Sequence, residues 1–163
     1  MSQKQNKVYL GIGSNIGDRR SYIDKAVLLL KQNANINVIK ISRLYETDPV
    51  GGPAQGKFLN GVIELNTVLN PLELLVNLQN IELKLGRIRS GLKNQPRTLD
   101  LDILLFEDIV LNTQQLIIPH PLLQERLFVL KPFMEIASGV IHPLFKRTIK
   151  ELFTELNSRT ESK

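Results

Sequence analysis

Asp100 and Asp102 stand two residues apart in the run Pro96-Arg97-Thr98-Leu99-Asp100-Leu101-Asp102-Ile103-Leu104-Leu105-Phe106, and their type and spacing point to metal chemistry. The apolar residues around them read as a buried strand, in which side chains alternate between faces. Both carboxylates therefore project the same way, with Leu99, Leu101 and Ile103 on the other side. Two carboxylates this close repel each other and lose solvation unless a cation comes between them. Hard oxygen donors of this kind suit Mg²⁺, which keeps several waters and takes phosphate oxygens as further ligands. Arg97, just before the pair, offers a second positive charge to the same phosphates. The constellation predicts the metal end of a phosphoryl- or pyrophosphoryl-transfer site. The plainer reading of a D-x-D pair is a solvated strand face. Against it, alternation stops in Ile103-Leu104-Leu105-Phe106, which places both faces of the strand under cover and the aspartates where it emerges into a cleft.

The 163 residues suit a single domain, 1–163, with a real hydrophobic core, and the hydrophobic (42%) and charged (23%) fractions are those of a soluble globular protein. No apolar run reaches membrane-spanning length, and Met1–Lys7 is too polar for a secretory signal. There is no cysteine, so disulfides and thiolate metal sites are excluded, which fits a cytoplasmic protein. The net charge of +5 is modest for a nucleic-acid binder. Part of it is concentrated in Arg87–Arg97, directly before the aspartates, which reads as a local funnel for a nucleotide triphosphate.

The elements that must position these groups can be read in order. Val8–Ile12 is a strand followed by the turn Gly13–Gly17, and Asp18 caps a helix over about Arg19–Gln32. Ile36–Thr47 reads as a second strand and Phe58–Val68 as a third. Asn70-Pro71-Leu72-Glu73 combines a cap, proline at the first helical position and a capping-box glutamate, so a second helix runs to about Leu85 and stops at Gly86. Asp100–Phe106 is the fourth strand, and Ile109–Leu111 and Leu116–Ile118 are short extended pieces. Leu122–Ile136 reads as helix broken or kinked near Pro132, and Thr148–Leu156 as a last helix. Residues 1–6 and 157–163 are expected to be flexible tails. The order β-α-β-β-α-β predicts an α+β, ferredoxin-like sandwich with an antiparallel sheet and extra C-terminal helices. The Gly- and Pro-rich loop Asp48–Gly56 and the basic loop Arg87–Gln95 are long for a compact domain, and the second reads as a lid over phosphates.

Taken together, these residues resemble the 6-hydroxymethyl-7,8-dihydropterin pyrophosphokinase family of folate biosynthesis. The matching pieces are Leu10-Gly11-Ile12-Gly13-Ser14-Asn15, Tyr45-Glu46-Thr47-Asp48-Pro49-Val50-Gly51, Phe58-Leu59-Asn60, Gln79-Asn80-Ile81-Glu82 and Gly86-Arg87-Ile88-Arg89. They continue with Pro96-Arg97-Thr98-Leu99-Asp100-Leu101-Asp102, Pro119-His120-Pro121 and Arg126-Leu127-Phe128. The resemblance implies a ferredoxin-like fold and transfer of the β,γ-pyrophosphoryl group of ATP to the pterin hydroxymethyl oxygen, releasing AMP. It implies two Mg²⁺ ions, bound with ATP on Asp100 and Asp102, and catalytic roles for Arg87, Arg97, Asp100 and Asp102.

The same resemblance assigns Gly13, Thr47, Asp48, Pro49, Val50, Phe58, Asn60 and Phe128 to the pterin. The residues support part of this independently. Phe58 and Asn60 share a strand face, and an aromatic beside an amide suits a flat heterocycle with a π-face and a hydrogen-bonding edge. Without the resemblance Phe58 would read as core and Asn60 as a polar residue near a turn. To ATP the resemblance assigns Gln79, Glu82, Arg89, Lys93, Arg97, Ile103, His120 and Arg126. His142, also before proline, keeps a structural reading. Gly11-Ile12-Gly13 is no P-loop, because no Lys-Ser or Lys-Thr follows.

The chain departs from the family in the basic loop, where Arg-Trp-Gly-Pro-Arg is common and Lys93-Asn94-Gln95-Pro96-Arg97 stands here. Lys93 keeps a charge without the planar fork, and Asn94 cannot stack as an indole could. The expected partners are ATP and the pterin, with no nucleic acid, no membrane and a monomeric state. Two alternatives remain at this point: a catalytically impaired pterin- and nucleotide-binding protein, and a basic RNA-binding module of the same fold.

Overall fold

A computed structural model describes residues 3–88 and 91–161. Strand β1 (Asn6–Ser14) leads into helix α1 (Arg19–Gln32), whose first turn is capped by Asp18 Oδ1 accepting from the Ser21 N–H at 3.1 Å. Strands β2 (Ile36–Ile41), β3 (Tyr45–Thr47) and β4 (Phe58–Thr67) follow. Helix α2 (Pro71–Lys84) opens on the expected capping box, Asn70 and Glu73 each accepting from the other's backbone N–H. Strand β5 (Asp100–Phe106) then completes the sheet in the order β2-β4-β1-β5, every pair antiparallel, with β3 alongside β4. This is the expected ferredoxin-like arrangement.

The expected strand Ile36–Thr47 is two strands. Ser42 donates its backbone N–H to the Val62 carbonyl, but its Oγ takes the place of a backbone acceptor for the Val62 N–H at 2.9 Å. Gly61 opposite has no side chain, and a Cβ there would come 2.9 Å from Leu44. The chain therefore turns inward at 42–44 before β3 resumes pairing, with Tyr45 opposite Asn60 and Thr47 opposite Phe58.

Helices α1 and α2 cover one sheet face, where Leu10, Ile12, Ile23, Leu30, Ile63, Leu78, Leu101 and Ile103 form the larger core. The other face is covered by α3 (Leu127–Ala137) and α4 (Ile149–Glu161), which pack Leu130, Phe133 and Leu152 against Tyr9, Val62, Leu104 and Leu105. A bulge explains why alternation fails after Asp102. Leu10 pairs with Ile103 but Tyr9 with Leu105, so Leu104 is an extra residue, and Leu104 and Leu105 both join the second core. The Leu104 carbonyl accepts the His120 N–H at 3.0 Å. Beyond Asp102 the strand is buried on both faces, as expected.

Between β5 and α3 lie β6 (Leu111–Asn112) and β7 (Ile117–Ile118), paired as a hairpin, and a 3-10 turn at Leu123–Glu125. The expected break at Pro132 does not occur. Helix α3 runs through Pro132, which is buried, and the interruption lies at Arg126, in extended conformation, whose carbonyl accepts from both Val129 and Leu130. Proline costs one ladder bond there, and packing on the sheet offsets it. Residues 157–161, expected as tail, continue α4 to Glu161, where Asn157 Nδ2 donates to Glu161 Oε1 and the Thr160 hydroxyl donates to the Leu156 carbonyl; Thr148 and Glu151 form a second capping box at the start of the helix.

Candidate active site

Three neighbouring strands build a trough on the α3 side of the sheet. Gly13 of β1 pairs with Asn60 of β4 on one side and Asp100 of β5 on the other, and Gly11 pairs with Val62 and Asp102. The middle strand thus contributes no side chain between Asn60 and the aspartates, which leaves a floor of backbone with an amide on one wall and two carboxylates on the other. Gly13 is required for a second reason: a Cβ there would lie 2.6 Å from Asn60 Oδ1. Asn60 cannot yield freely, because its Nδ2 donates to Thr47 Oγ1 at 2.6 Å. Gly13→Ala is therefore expected to raise the Kd of a heterocycle bound beside Asn60 by about tenfold, the cost of one displaced hydrogen-bonding group, with an unchanged far-UV circular dichroism spectrum. Calorimetry checks it, and an unchanged Kd would remove Gly13 from the site.

Phe58, Thr47, Asp48, Val50, Asn94, Arg97, Arg126 and Phe128 complete the cavity. The guanidinium of Arg97 lies 5.2 Å from the Phe58 ring centre and that of Arg126 lies 5.5 Å from Phe128. A second, basic cavity adjoins the first, sharing Val50, Asn94, Arg97 and Arg126 and adding Arg87 and Lys93. An aromatic compartment that holds the aspartates therefore opens into a cationic one, with Val50, Asn94, Arg97 and Arg126 at their junction.

The charges are ordered. Arg87 Nη1 donates to Asp100 Oδ1 at 2.8 Å and to Glu82 Oε2, while Arg97 Nη1 donates to Asp100 Oδ2 at 3.2 Å. Burial works against the Arg87 charge, but Asp100 and Glu82 outweigh it and push its pKa up. Glu82 is itself buried and accepts the Leu101 N–H at 2.8 Å, so it braces both Arg87 and β5. Asp102 is different. Burial first, then the charges of Asp100 and Glu82, raise its pKa to about 7, with Arg126 and Arg87 opposing. A half-buried carboxylate beside a second one, both facing a cavity, fits a hard divalent cation. Among the described residues no cluster of three or more His, Asp or Glu side chains could hold a metal alone, so this pair suits a cation that brings phosphate oxygens and water with it.

Most of the expected site residues come together here: Gly13, Thr47, Asp48, Val50, Phe58, Asn60, Phe128, Arg97, Asp100, Asp102 and Arg126 line the first cavity, and Arg87 and Lys93 the second. Pro49, Gln79, Glu82 and His120 line neither. His120 Nδ1 accepts the Leu122 N–H, and burial, then Arg126, lowers its pKa to about 4 against the pull of Asp100, so it stays neutral. The Ile103 side chain lines neither cavity: one residue from Asp102 on an alternating strand, it faces the α1–α2 core, which leaves its backbone as the part that could meet ATP. Arg89 lies outside the described residues. His142 is structural as expected, buried with Nδ1 accepting from the Leu144 and Phe145 N–H groups.

Sequence reasoning passed over Gly11, Leu104, Val129 and Asn94 as cavity residues. The Gly-x-Gly spacing on a strand was a usable signal for the first, since it matches the Asp-x-Asp spacing across the ladder. Asn94 carried none, because its place is decided by where two loops meet.

Comparison with known proteins agrees with this geometry. Residues 9–138 match the family described as 7,8-dihydro-6-hydroxymethylpterin-pyrophosphokinase (HPPK). A Bacillus subtilis protein named 2-amino-4-hydroxy-6-hydroxymethyldihydropteridine pyrophosphokinase is 53% identical over 135 residues, covering 83% of this chain and 80% of its own. An Aquifex aeolicus protein of the same name is 45% identical, with 91% of each chain covered. The fold is shared with wild-type Plasmodium falciparum HPPK-DHPS, solved with pterin and p-hydroxybenzoate, at a TM-score of 0.76 and 19% identity. This chain is covered completely in that comparison and spans 44% of the Plasmodium chain. The chain belongs to the 7,8-dihydro-6-hydroxymethylpterin-pyrophosphokinase family.

Proposed function

We infer that the protein transfers the β,γ-pyrophosphoryl group of ATP to 6-hydroxymethyl-7,8-dihydropterin, giving the pterin diphosphate and AMP in folate biosynthesis. The observation that carries this reading is the trough itself: Asn60, Gly13 and Asp100 in one row across three strands, with two aromatic rings in the same cavity, each against an arginine guanidinium.

The pterin lies in the aromatic compartment, between Phe58 and Phe128, with the Asn60 amide and the Thr47–Val50 segment on its edge. Its stacking requires the Arg97 guanidinium to move off the Phe58 ring toward the phosphates. The triphosphate lies in the basic compartment, with Arg87, Lys93, Arg97 and Arg126 as counter-charges. Asp100 and Asp102 would hold two Mg²⁺ ions bound with ATP, which would polarise the phosphoryl oxygens and lower the pKa of the attacking hydroxyl. The hydroxymethyl oxygen forms a bond to the β-phosphorus as the bond from that phosphorus to the α,β-bridging oxygen breaks. The hydroxyl proton passes to solvent water, and AMP leaves with the bridging oxygen. Arg97, already bonded to Asp100, neutralises charge that develops in this step, and Arg87 keeps Asp100 aimed. Gln79, Glu82 and His120 act from outside the cavities, Glu82 through Arg87.

On this reading the protein works as a cytoplasmic monomer on small molecules, without nucleic acid or membrane. No helix among the described residues is long and apolar enough to cross a membrane. Incubation with ATP, Mg²⁺ and the pterin should release AMP. ADP instead would mean a simple kinase, and substrate binding without turnover an impaired binding protein. Phe58→Ala is expected to weaken pterin binding by about tenfold or more and ATP binding by less than about twofold, since only the pterin loses a stacking partner. Equal losses in calorimetry would contradict the placement of the two compartments.

A further inference from the structure

Asn15 is not among the cavity residues, yet it touches both loops that flank the cavity. It follows the last residue of β1 and is 6% exposed. Its backbone N–H donates to the Arg97 carbonyl at 3.1 Å, and its side-chain Oδ1 accepts the Arg97 N–H at 2.9 Å. Arg97 is thus bracketed at both backbone polar groups by one residue. The other half of the carboxamide faces the opposite loop, with Nδ2 donating to Gln55 Oε1 at 2.6 Å and to the Gly56 carbonyl at 3.1 Å. Gln55 Nε2 carries the connection back to the arginine loop by donating to the Asn94 carbonyl at 2.8 Å. The two loops also meet directly, because a Cβ on Gly52 would come 2.2 Å from that same carbonyl oxygen.

We propose that Asn15 is a positioning residue for the transfer reaction: its Oδ1 half fixes the backbone from which Arg97 reaches Asp100, and its Nδ2 half ties the 48–56 loop to the same anchor. This rests on the function inferred above. An arginine on a free loop samples many positions. One bracketed at N–H and carbonyl presents its guanidinium from a fixed origin, and a displacement of about 1 Å in such a group costs about a hundredfold in rate. Loss of the Asn15 side chain takes a hydrogen bond from three polar groups at once, the Arg97 N–H, Gln55 Oε1 and the Gly56 carbonyl. The same carboxamide therefore sets both walls of the cavity, the arginine wall by its oxygen and the pterin wall by its nitrogen.

The two arms can be separated. Asn15→Asp keeps an acceptor for the Arg97 N–H but turns an oxygen toward Gln55 Oε1 and the Gly56 carbonyl, so it opens the loop arm. Gln55→Ala opens the same arm from the other end. Asn15→Ala removes both. Calorimetry with the pterin and with a non-hydrolysable ATP analogue, together with kcat and Tm, reads all three variants. The expected result is a rise of about tenfold in pterin Kd for Asn15→Asp and for Gln55→Ala, with analogue Kd changed by less than about threefold. The double variant Asn15→Asp/Gln55→Ala then falls short of the product of the two single effects, since the Asn15–Gln55 bond is lost in both. Asn15→Ala adds a fall of about thirty- to a hundredfold in kcat. Additive losses in the double variant, equal rises in both Kd values, or a lowered Tm with both Kd values unchanged would overturn the proposal, as would wild-type kcat in Asn15→Ala. If Asn15→Ala does not fold, the other two variants still decide the loop arm. Pterin affinity needs no turnover, so a wild-type protein that binds pterin and releases no AMP would fail the inferred reaction while the loop arm remained tested.

Discussion

Asp102→Asn should lower turnover by roughly a thousandfold or more while making the ligand-free protein more stable. Both effects have one cause. The carboxylate sits half-buried beside Asp100, and burial with like charge raises its pKa to about 7. Its folded pKa thus lies above its unfolded value, so the native state holds the proton more tightly than the unfolded chain. Stability is greatest below the unfolded pKa and falls as pH rises through 7. Asparagine carries no charge at any pH, so the gain over wild type opens between about pH 4 and 7 and is constant above; linkage alone would give roughly 4 kcal/mol, and partial exposure of the carboxylate to solvent brings this to about 1–2 kcal/mol or about 3–6 °C in Tm. Denaturation followed from pH 4 to 8 checks the sign. A variant less stable than wild type at pH 8 would show that the Asp102 charge is already compensated in the free protein. Full activity would remove Asp102 from the reaction altogether.

Arg97→Lys is expected to cost about a hundredfold in kcat although the charge is kept. The guanidinium bonds Asp100 Oδ2 and the Gln95 carbonyl with different nitrogens while lying over the Phe58 ring. An ammonium cannot hold that fork, and the fork, not the ring contact that the pterin displaces, carries over into the transfer step. Because the neighbouring Arg87, Lys93 and Arg126 keep the second cavity basic, the KM for ATP should change by less than about fivefold. Steady-state kinetics separate the two. A large rise in KM with kcat intact would mean that Arg97 contributes to ground-state binding and little to the transfer step.

The elements that surround these groups were legible to different depths. The Asp18 and Asn70 caps could be read directly, because a cap is a contact over three residues. The split of β2 from β3 could not, since it depends on the Ser42 hydroxyl meeting Val62, twenty residues away, across from Gly61. A break at Pro132, one of the two outcomes expected there, does not occur for a similar reason. The proline's local cost is real, but the helix that contains it is packed on the sheet, and burial of Leu130 and Phe133 outweighs one missing ladder bond.

The site shows the same division. Two acidic residues at strand spacing, an aromatic and an amide at the same spacing, and a basic loop before them are local patterns, and the chemistry they imply follows from residue type alone. Alternation also required that Asp100 and Asp102 share a face, and the chain order of strands and helices was enough for the ferredoxin-like sandwich. What only the folded chain decided is which strand lies between the amide and the acids. It is β1, with Gly13 and Gly11 at the two critical rows, so the trough is open where any side chain would fill it. Tertiary packing alone also set Glu82 beneath Arg87, turned Ile103 into the core, and brought Asn15 between two loops 40 and 82 residues away in sequence. Contacts over such distances are fixed by sheet register and loop docking, which depend on the whole chain at once, whereas strand alternation and capping depend on near neighbours.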